Sequence, residues 1–556
     1  MCVHRRARVS FRLGVAAAVV ALTAAGAGAQ RNSAAIPRDP DDRMIVHVLN
    51  RIGFGPAPGD LARVKSIGLA KYIDEQLNPS RIPDDEMIAR LSRFQTLEMS
   101  THELARDYYL PAVMQRRQAQ RAQAAAAANP GMTDPGMKGT PGKPRAGQAA
   151  QAAVRDGRIV LTELLQQKVL RAAYSERQLE EVLVDFWFNH FNVFAGKGPT
   201  RIHLTEYERD TIRPRVLGKF RDLLGAVAES PAMLFYLDNW QSAAPADAET
   251  MHAAGRRGKA VRRPPMAQPQ QQGRRRGINE NYARELMELH TLGVDGGYTQ
   301  RDVQEVARAF TGWTIDMPRQ GGGFKFEPRI HDNGDKIVLG VRIPRGGGRN
   351  DGEQVLDLLA RHPSTARFIA LKLARRFVAD EPPATLIERA AARFQATDGD
   401  IREVVRTILT SPEFFAPSAY RAKVKTPFEF VVSAVRASGA DVRDGQALVQ
   451  GVRQLGMPLY MCQPPTGYSD KADAWVNTGA LLNRMNFALS LASGGRSARI
   501  ARGSRSDVSV PVTEQRIAAE VLANDLSPAT SRTVAKAATE PQKVALLLGS
   551  PDFQKR

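Results

Sequence analysis

The sequence predicts a mainly α fold, a large multi-helix domain with one small β hairpin near residues 324–340. Three observations predict it. Apolar residues recur at helical spacing through most of the chain. Several segments open with complete capping signatures. Strand-like alternation around a turn dipeptide is confined to one place. The chain has 556 residues, 43% of them hydrophobic, which is ample for a large buried core.

At the N-terminus, Arg5, Arg6, Arg8 and Arg12 precede an apolar stretch from Leu13 to about Ala25 that ends in Ala27-Gly28-Ala29. The stretch is too short to span a bilayer, so residues 1–29 read as a cleavable signal peptide. Cys2 lies in the basic region, away from the small-residue site, and does not suggest lipid attachment. The mature chain is expected to be secreted or periplasmic, with no transmembrane anchor. It then keeps one cysteine, Cys462, which excludes an internal disulfide and a Cys-based zinc site.

Residues 41–500 read as a single large helical domain, interrupted by insertions near 115–156 and 242–277. The first insertion is Gln-, Ala-, Gly- and Pro-rich and the second contains RRGKAVRRPPMAQPQQQGRRRG. Neither has enough apolar surface to offset its ordering entropy, so both are expected to be mobile. Residues 501–556 form a C-terminal extension, expected to be helical.

The formal charge is +20, but four of the basic residues lie in the signal and eight between Arg256 and Arg276. For an exported protein such a balance favours an anionic envelope polymer over nucleic acid, which is not expected as a partner. No basic-aromatic interleaving supports nucleic acid either.

Within the domain, Arg177–Phe194 (RQLEEVLVDFWFNHFNVF) is a helix in which Leu179, Leu183, Phe186 and His190 share one face. His190 thus sits inside an aromatic stripe with Trp187 beside it. Its bland reading is a core histidine with one hydrogen bond. Asn279–Val294 is the second unusual helix. Tyr282, Leu286 and Leu289 face the core, and Glu280, Arg284 and Glu288 form a ladder on another side. Glu285 and His290 flank the apolar arc, where a carboxylate could act as a base or ligate a metal. Thr299 with Asp302 opens the next helix. Alternation from Phe324 to Gly340 around Asn333-Gly334 gives the hairpin, which also displays His331 and Asp332. Thr365–Val378 is amphipathic, and Asp400 with Glu403 opens another helix. Thr426-Pro427-Phe428-Glu429 is a full helix start, closed by Gly439. Asn477–Ala492 ends the helical pattern.

Walker, nucleophile-elbow and HExxH motifs are absent, so the common hydrolase and nucleotide chemistries have no direct support. His190, Glu285, His290 and His331 would suit a divalent metal if they met in space. The five-residue spacing of Glu285 and His290 argues against both binding one ion.

HVLNRIGFGPAPGDLARV from His47, FWFNHFNVF from Phe186, NENYARELMELHTLGVDGGYTQRDVQEVARAFTGWT from Asn279 and HDNGDKIVLG from His331 occur in order along the chain. With SPEFF at Ser411 and KVKTPFEF at Lys423, they resemble the bacterial family known as domain of unknown function 1800. The resemblance implies an exported, mainly helical protein. It also implies a link to an exported sulfatase-like family, domain of unknown function 1501. It supplies no accepted catalytic residues. The late CQPPTGYSDKADAW segment resembles a family pattern but has Gly467-Tyr468 in place of the usual Gly-Trp pair.

Two functions follow as expectations. The first is an extracytoplasmic hydrolase-like enzyme acting on an envelope or extracellular polymer. Glu285 would be its base or ligand, His190, His290 and His331 would assist, and Asn281, Arg284, Trp187 and Asp332 would bind. The second is a noncatalytic binding or assembly protein that holds the sulfatase-like partner, its polar residues serving as packing networks.

Overall fold

In the computed structural model, which describes residues 36–128, 145–245, 277–494 and 512–556, several helices begin where the sequence supplies a cap. Asp41 accepts from Met44 N at 2.8 Å to open Asp42–Ile52. Thr426 and Glu429 form a reciprocal capping box at Pro427–Ser438, and Gly439 closes that helix in the left-handed region at φ 62°. Thr299 and Asp302 do the same for Gln300–Ala309, and Asp400 caps Ile401–Leu409. The body is mainly α, as the spacing predicts. Among the described residues no helix is long and apolar enough to cross a membrane.

Among the described residues the sheets are two small antiparallel pairs. β1 (Trp313–Ile315) pairs with β2 (Phe324–Phe326), and β3 (Lys336–Val338) pairs with β4 (Val341–Ile343). The predicted region therefore holds a hairpin, but its turn is Leu339-Gly340, both at positive φ (49° and 79°), and not Asn333-Gly334. Two local features displace the turn. Asp332 Oδ1 accepts from Gly334 N at 2.9 Å, which spends the dipeptide on a side-chain turn. Pro328, which has no N–H, starts a 3-10 turn ahead of it where a partner strand would have to run.

Of the stretch 115–156, the described part is helical, falling in Leu110–Ala128 and Arg145–Tyr174. Residues 129–144 and nearly all of the second insertion, 246–276, lie outside the described residues, as does the signal peptide. One hydrophobic cluster gathers residues from Ile45 to Phe553, so the helical segment 512–556 shares the same core. Val424 and Lys555 are joined by an isolated β bridge.

Candidate functional site

The aromatic stripe of Gln178–His190 packs inward with Trp187 and His190 fully enclosed. Trp187 Nε1 donates to the Val216 carbonyl at 3.2 Å, a core anchor that leaves no group for a ligand. His190 meets His290, which lies just beyond the Glu280–Glu288 helix. The ring centroids are 6.4 Å apart, and His190 Nε2 donates to the His290 carbonyl at 3.1 Å. Phe191 lies against both rings and Phe368 against His190.

Burial holds both histidines neutral. The His290 ring is pushed down to about 3, by desolvation first and then by Lys372. His190 is held well below its ordinary value by desolvation, then by Lys372 and His290. His190 Nδ1 and His290 Nε2 have no hydrogen-bond partner among the described residues. Lys372, on the Pro363–Phe377 helix, is the neighbour that sequence reasoning missed; nothing in its local pattern marks it out.

Glu285 is half-buried, has no hydrogen-bond or ion-pair partner among the described residues, and is raised by desolvation and then by Glu288. The Tyr236 hydroxyl, which donates to the Gln463 carbonyl at 2.7 Å, is pushed up by desolvation first and then by Cys462 and Glu285. Arg284 donates to Gln300 at 2.7 Å, and Asn281 is exposed.

His331 belongs to another network. Nδ1 lies 2.7 Å from the Thr311 carbonyl and Nε2 3.1 Å from Asp351 Oδ2, which also takes Lys336 Nζ at 2.6 Å. All three side chains are buried, and Asp332 is occupied by Arg308 at 2.8 and 3.1 Å. The expected four-residue set is thus not assembled. His190 and His290 meet, Glu285 stands apart from them without a partner among the described residues, and His331 is held by Asp351. Among the described residues no group of three or more His, Cys, Asp or Glu side chains is placed to hold a metal ion. Glu285 lies on the Glu280–Glu288 helix and His290 past its end, in the turn that follows, and a rival carboxylate holds His331.

Asn189, in the Gln178–His190 helix, and Asn192, just past its end, have a role that the sequence hid. Asn189 exchanges two hydrogen bonds with the Tyr468 backbone, at 2.8 and 2.7 Å, and Asn192 donates to the Cys462 and Pro464 carbonyls. They fasten the Cys462–Trp475 segment across the helix end. At Gly467 (φ 73°) a Cβ would stand 2.3 Å from the Asn189 carbonyl, so the loop can seat here only with glycine.

A family model described as Protein of unknown function (DUF1800) matches residues 47–555. Neither the curated proteins nor the solved structures contain a match to this chain.

Proposed function

From the premise that the chain belongs to the DUF1800 family of proteins of unknown function, we propose that it is an exported, noncatalytic binding or assembly protein. The observation that carries this reading is the Thr478–Ala492 helix, which is apolar on more than its core face. Arg484, Ala488, Leu491 and Ala492 are buried, yet Leu481 is 45% exposed, Leu482 62% and Leu489 40%, with Val476 at 49% just before the helix. Leu482 and Leu489, seven residues apart, share one face. Grouped exposed apolar side chains favour a protein contact. The partner proposed is the exported sulfatase-like protein of domain of unknown function 1501. The enclosure of His190, His290 and His331 supports the same reading, because none of them offers a free ring nitrogen at the surface.

The test is crosslinking and co-purification from native envelopes. Leu482→Glu/Leu489→Glu should lose the partner while melting like wild type. Retention of the same partner by that variant would sink the reading.

A metal-free acid–base enzyme is the second reading, favoured by the half-buried Glu285, which has no partner among the described residues and whose proton affinity is raised by desolvation and then by Glu288. A Glu285→Gln variant that still co-purifies the partner but loses all cellular phenotype would shift the weight to it.

A further inference from the structure

A cleft of about 300 Å³ opens between the Leu110–Ala128 helix, the Arg145–Tyr174 helix and the start of the Thr200–Glu206 helix. None of the candidate residues above lines it. One wall is a single helical stripe, because Tyr109, Ala112, Val113 and Arg116 stand at i, i+3, i+4 and i+7. Tyr109 also ends a π turn, Ala105–Tyr109, an irregularity frequent at functional sites. Arg158 and Arg201 face this stripe from the other two helices, and Gly196 and Gly198 close the edge. At Gly196 a Cβ would stand 2.2 Å from the Phe194 ring, so that edge stays bare backbone.

Three guanidinium groups thus share one cleft, and among the described residues no Asp or Glu lines it. The side chains of Arg116, Arg158 and Arg201 make no ion pair and no hydrogen bond with a described residue. Other arginines on this surface are paired, Arg221 with Glu353 and Asp357, and Arg349 with Glu229. Arg201 Nε is buried, while Arg116 and Arg158 are exposed. A buried donor without an acceptor is costly, and three cations around one space repel. An oxyanion answers both, since a guanidinium takes two oxygens of one acid group at once.

Pockets that take small organic ligands begin at about 300 Å³, so the cleft has room for a sugar ring as well as its acid group. The neutral part of the lining suits such a ring. Ala112, Val113 and the Tyr109 ring offer apolar contact to its C–H face, and the Tyr109 hydroxyl and the glycine backbone offer partners to its hydroxyls. We propose that this cleft binds a saccharide residue carrying an oxyanion, a uronate or a sulfate ester. The acid group sits on Arg201, and the rest of the saccharide runs out past Arg116 and Arg158. The cleft is built on different elements from the Leu482 and Leu489 face, so it stands whether or not that face holds a protein.

Isothermal titration calorimetry of the full chain at fixed ionic strength tests this, with tri-galacturonate, a galactose 6-sulfate trisaccharide and neutral galactotriose as probes. At least one acidic probe should bind, one per chain, and galactotriose should bind about tenfold more weakly or not at all. The tighter acidic probe names the acid group. Arg201→Gln, and separately Arg116→Gln/Arg158→Gln, should weaken that binding about tenfold or more. Arg342→Gln/Arg345→Gln removes two exposed charges elsewhere and should leave it unchanged, which separates the cleft from the general attraction of a basic chain. No binding of either acidic probe, equal binding of galactotriose, or an equal loss in Arg342→Gln/Arg345→Gln would each overturn the proposal. So would full displacement by an equal concentration of inorganic sulfate, the mark of an adventitious ion only. The wild-type measurements need no variant, so a misfolded Arg201→Gln protein cannot rescue the proposal.

Discussion

Two buried polar groups in this protein are handled in opposite ways. Around His190 and His290 the surroundings are aromatic, desolvation and then the cation Lys372 act against protonation, and the rings are kept neutral. Around Glu429 the surroundings are equally buried, but Arg376 and Arg556 keep the carboxylate charged, down to about 2. Burial alone therefore does not decide protonation; the number and sign of fixed neighbours do. The first region discards charge, and the second collects it.

The sharpest way to break this contrast is Glu429→Gln. It removes the one fully buried carboxylate among six buried cations, Arg51, Arg376, Lys423, Lys425, Arg484 and Arg556, and loss of one partner from such a pair costs about 3–5 kcal/mol. Guanidinium unfolding should show a large drop in midpoint, or no cooperative transition at all. A midpoint equal to wild type would mean that the cations have another counter-charge.

Acid separates the regions next. His47 and His290 are pushed down to about 3 and His203, also buried, to about 4, in each case chiefly by desolvation. The unfolded chain binds protons at these positions near pH 6.5, so stability is full above that value and falls as pH drops toward the folded values. By pH 5 each ring should contribute a loss of about 2 kcal/mol. Glu429 loses its contribution in the same direction but in a lower window: the contribution is full above its ordinary value of 4.5 and is lost only as pH falls toward 2. Denaturant midpoints at pH 7, 6, 5 and 4 check the order, with the histidine losses appearing first.

His290→Phe sharpens the same point more gently. Replacing a neutral buried ring that lacks a partner for Nε2 should change stability at pH 7 by ~1 kcal/mol or less. The slope between pH 7 and 5 should become shallower. An unchanged slope would mean that this ring is not the group responsible.

Glu285→Gln should have the smallest effect. The carboxylate is half-buried and holds no partner among the described residues, so stability should move by no more than ~0.5 kcal/mol. Any larger loss, read by thermal melting, would reveal a bond to Glu285 formed in solution.

The helical body was legible because its signals are local. Thr426 with Glu429 and Thr299 with Asp302 announce their helices within four residues, and the structure has both capping boxes. The hairpin region was legible, but the turn was not. Leu339 at positive φ carries no turn preference, while the more obvious Asn333-Gly334 was taken by the Asp332 side chain. Of the candidate site, the pairing of His190 with an aromatic stripe was readable from spacing, and its meeting with His290 was not. The cationic cluster was invisible for a further reason. Its members come from residues 51, 376, 423, 425, 484 and 556, and each alone reads as an ordinary surface charge in an Arg-rich chain. Only tertiary contact distinguishes Arg376 under Glu429 from an arginine in water.

The Asn189 amide both donates to and accepts from Tyr468, so it grips that residue as a neighbouring strand would. The Cys462–Trp475 loop cannot slide along the helix by one residue without losing both bonds at once. Lifting is the only escape open to it. The Tyr468 amide proton should then exchange with deuterium far more slowly than a surface loop amide, and its exchange rate becomes a clock for how often the loop leaves the helix.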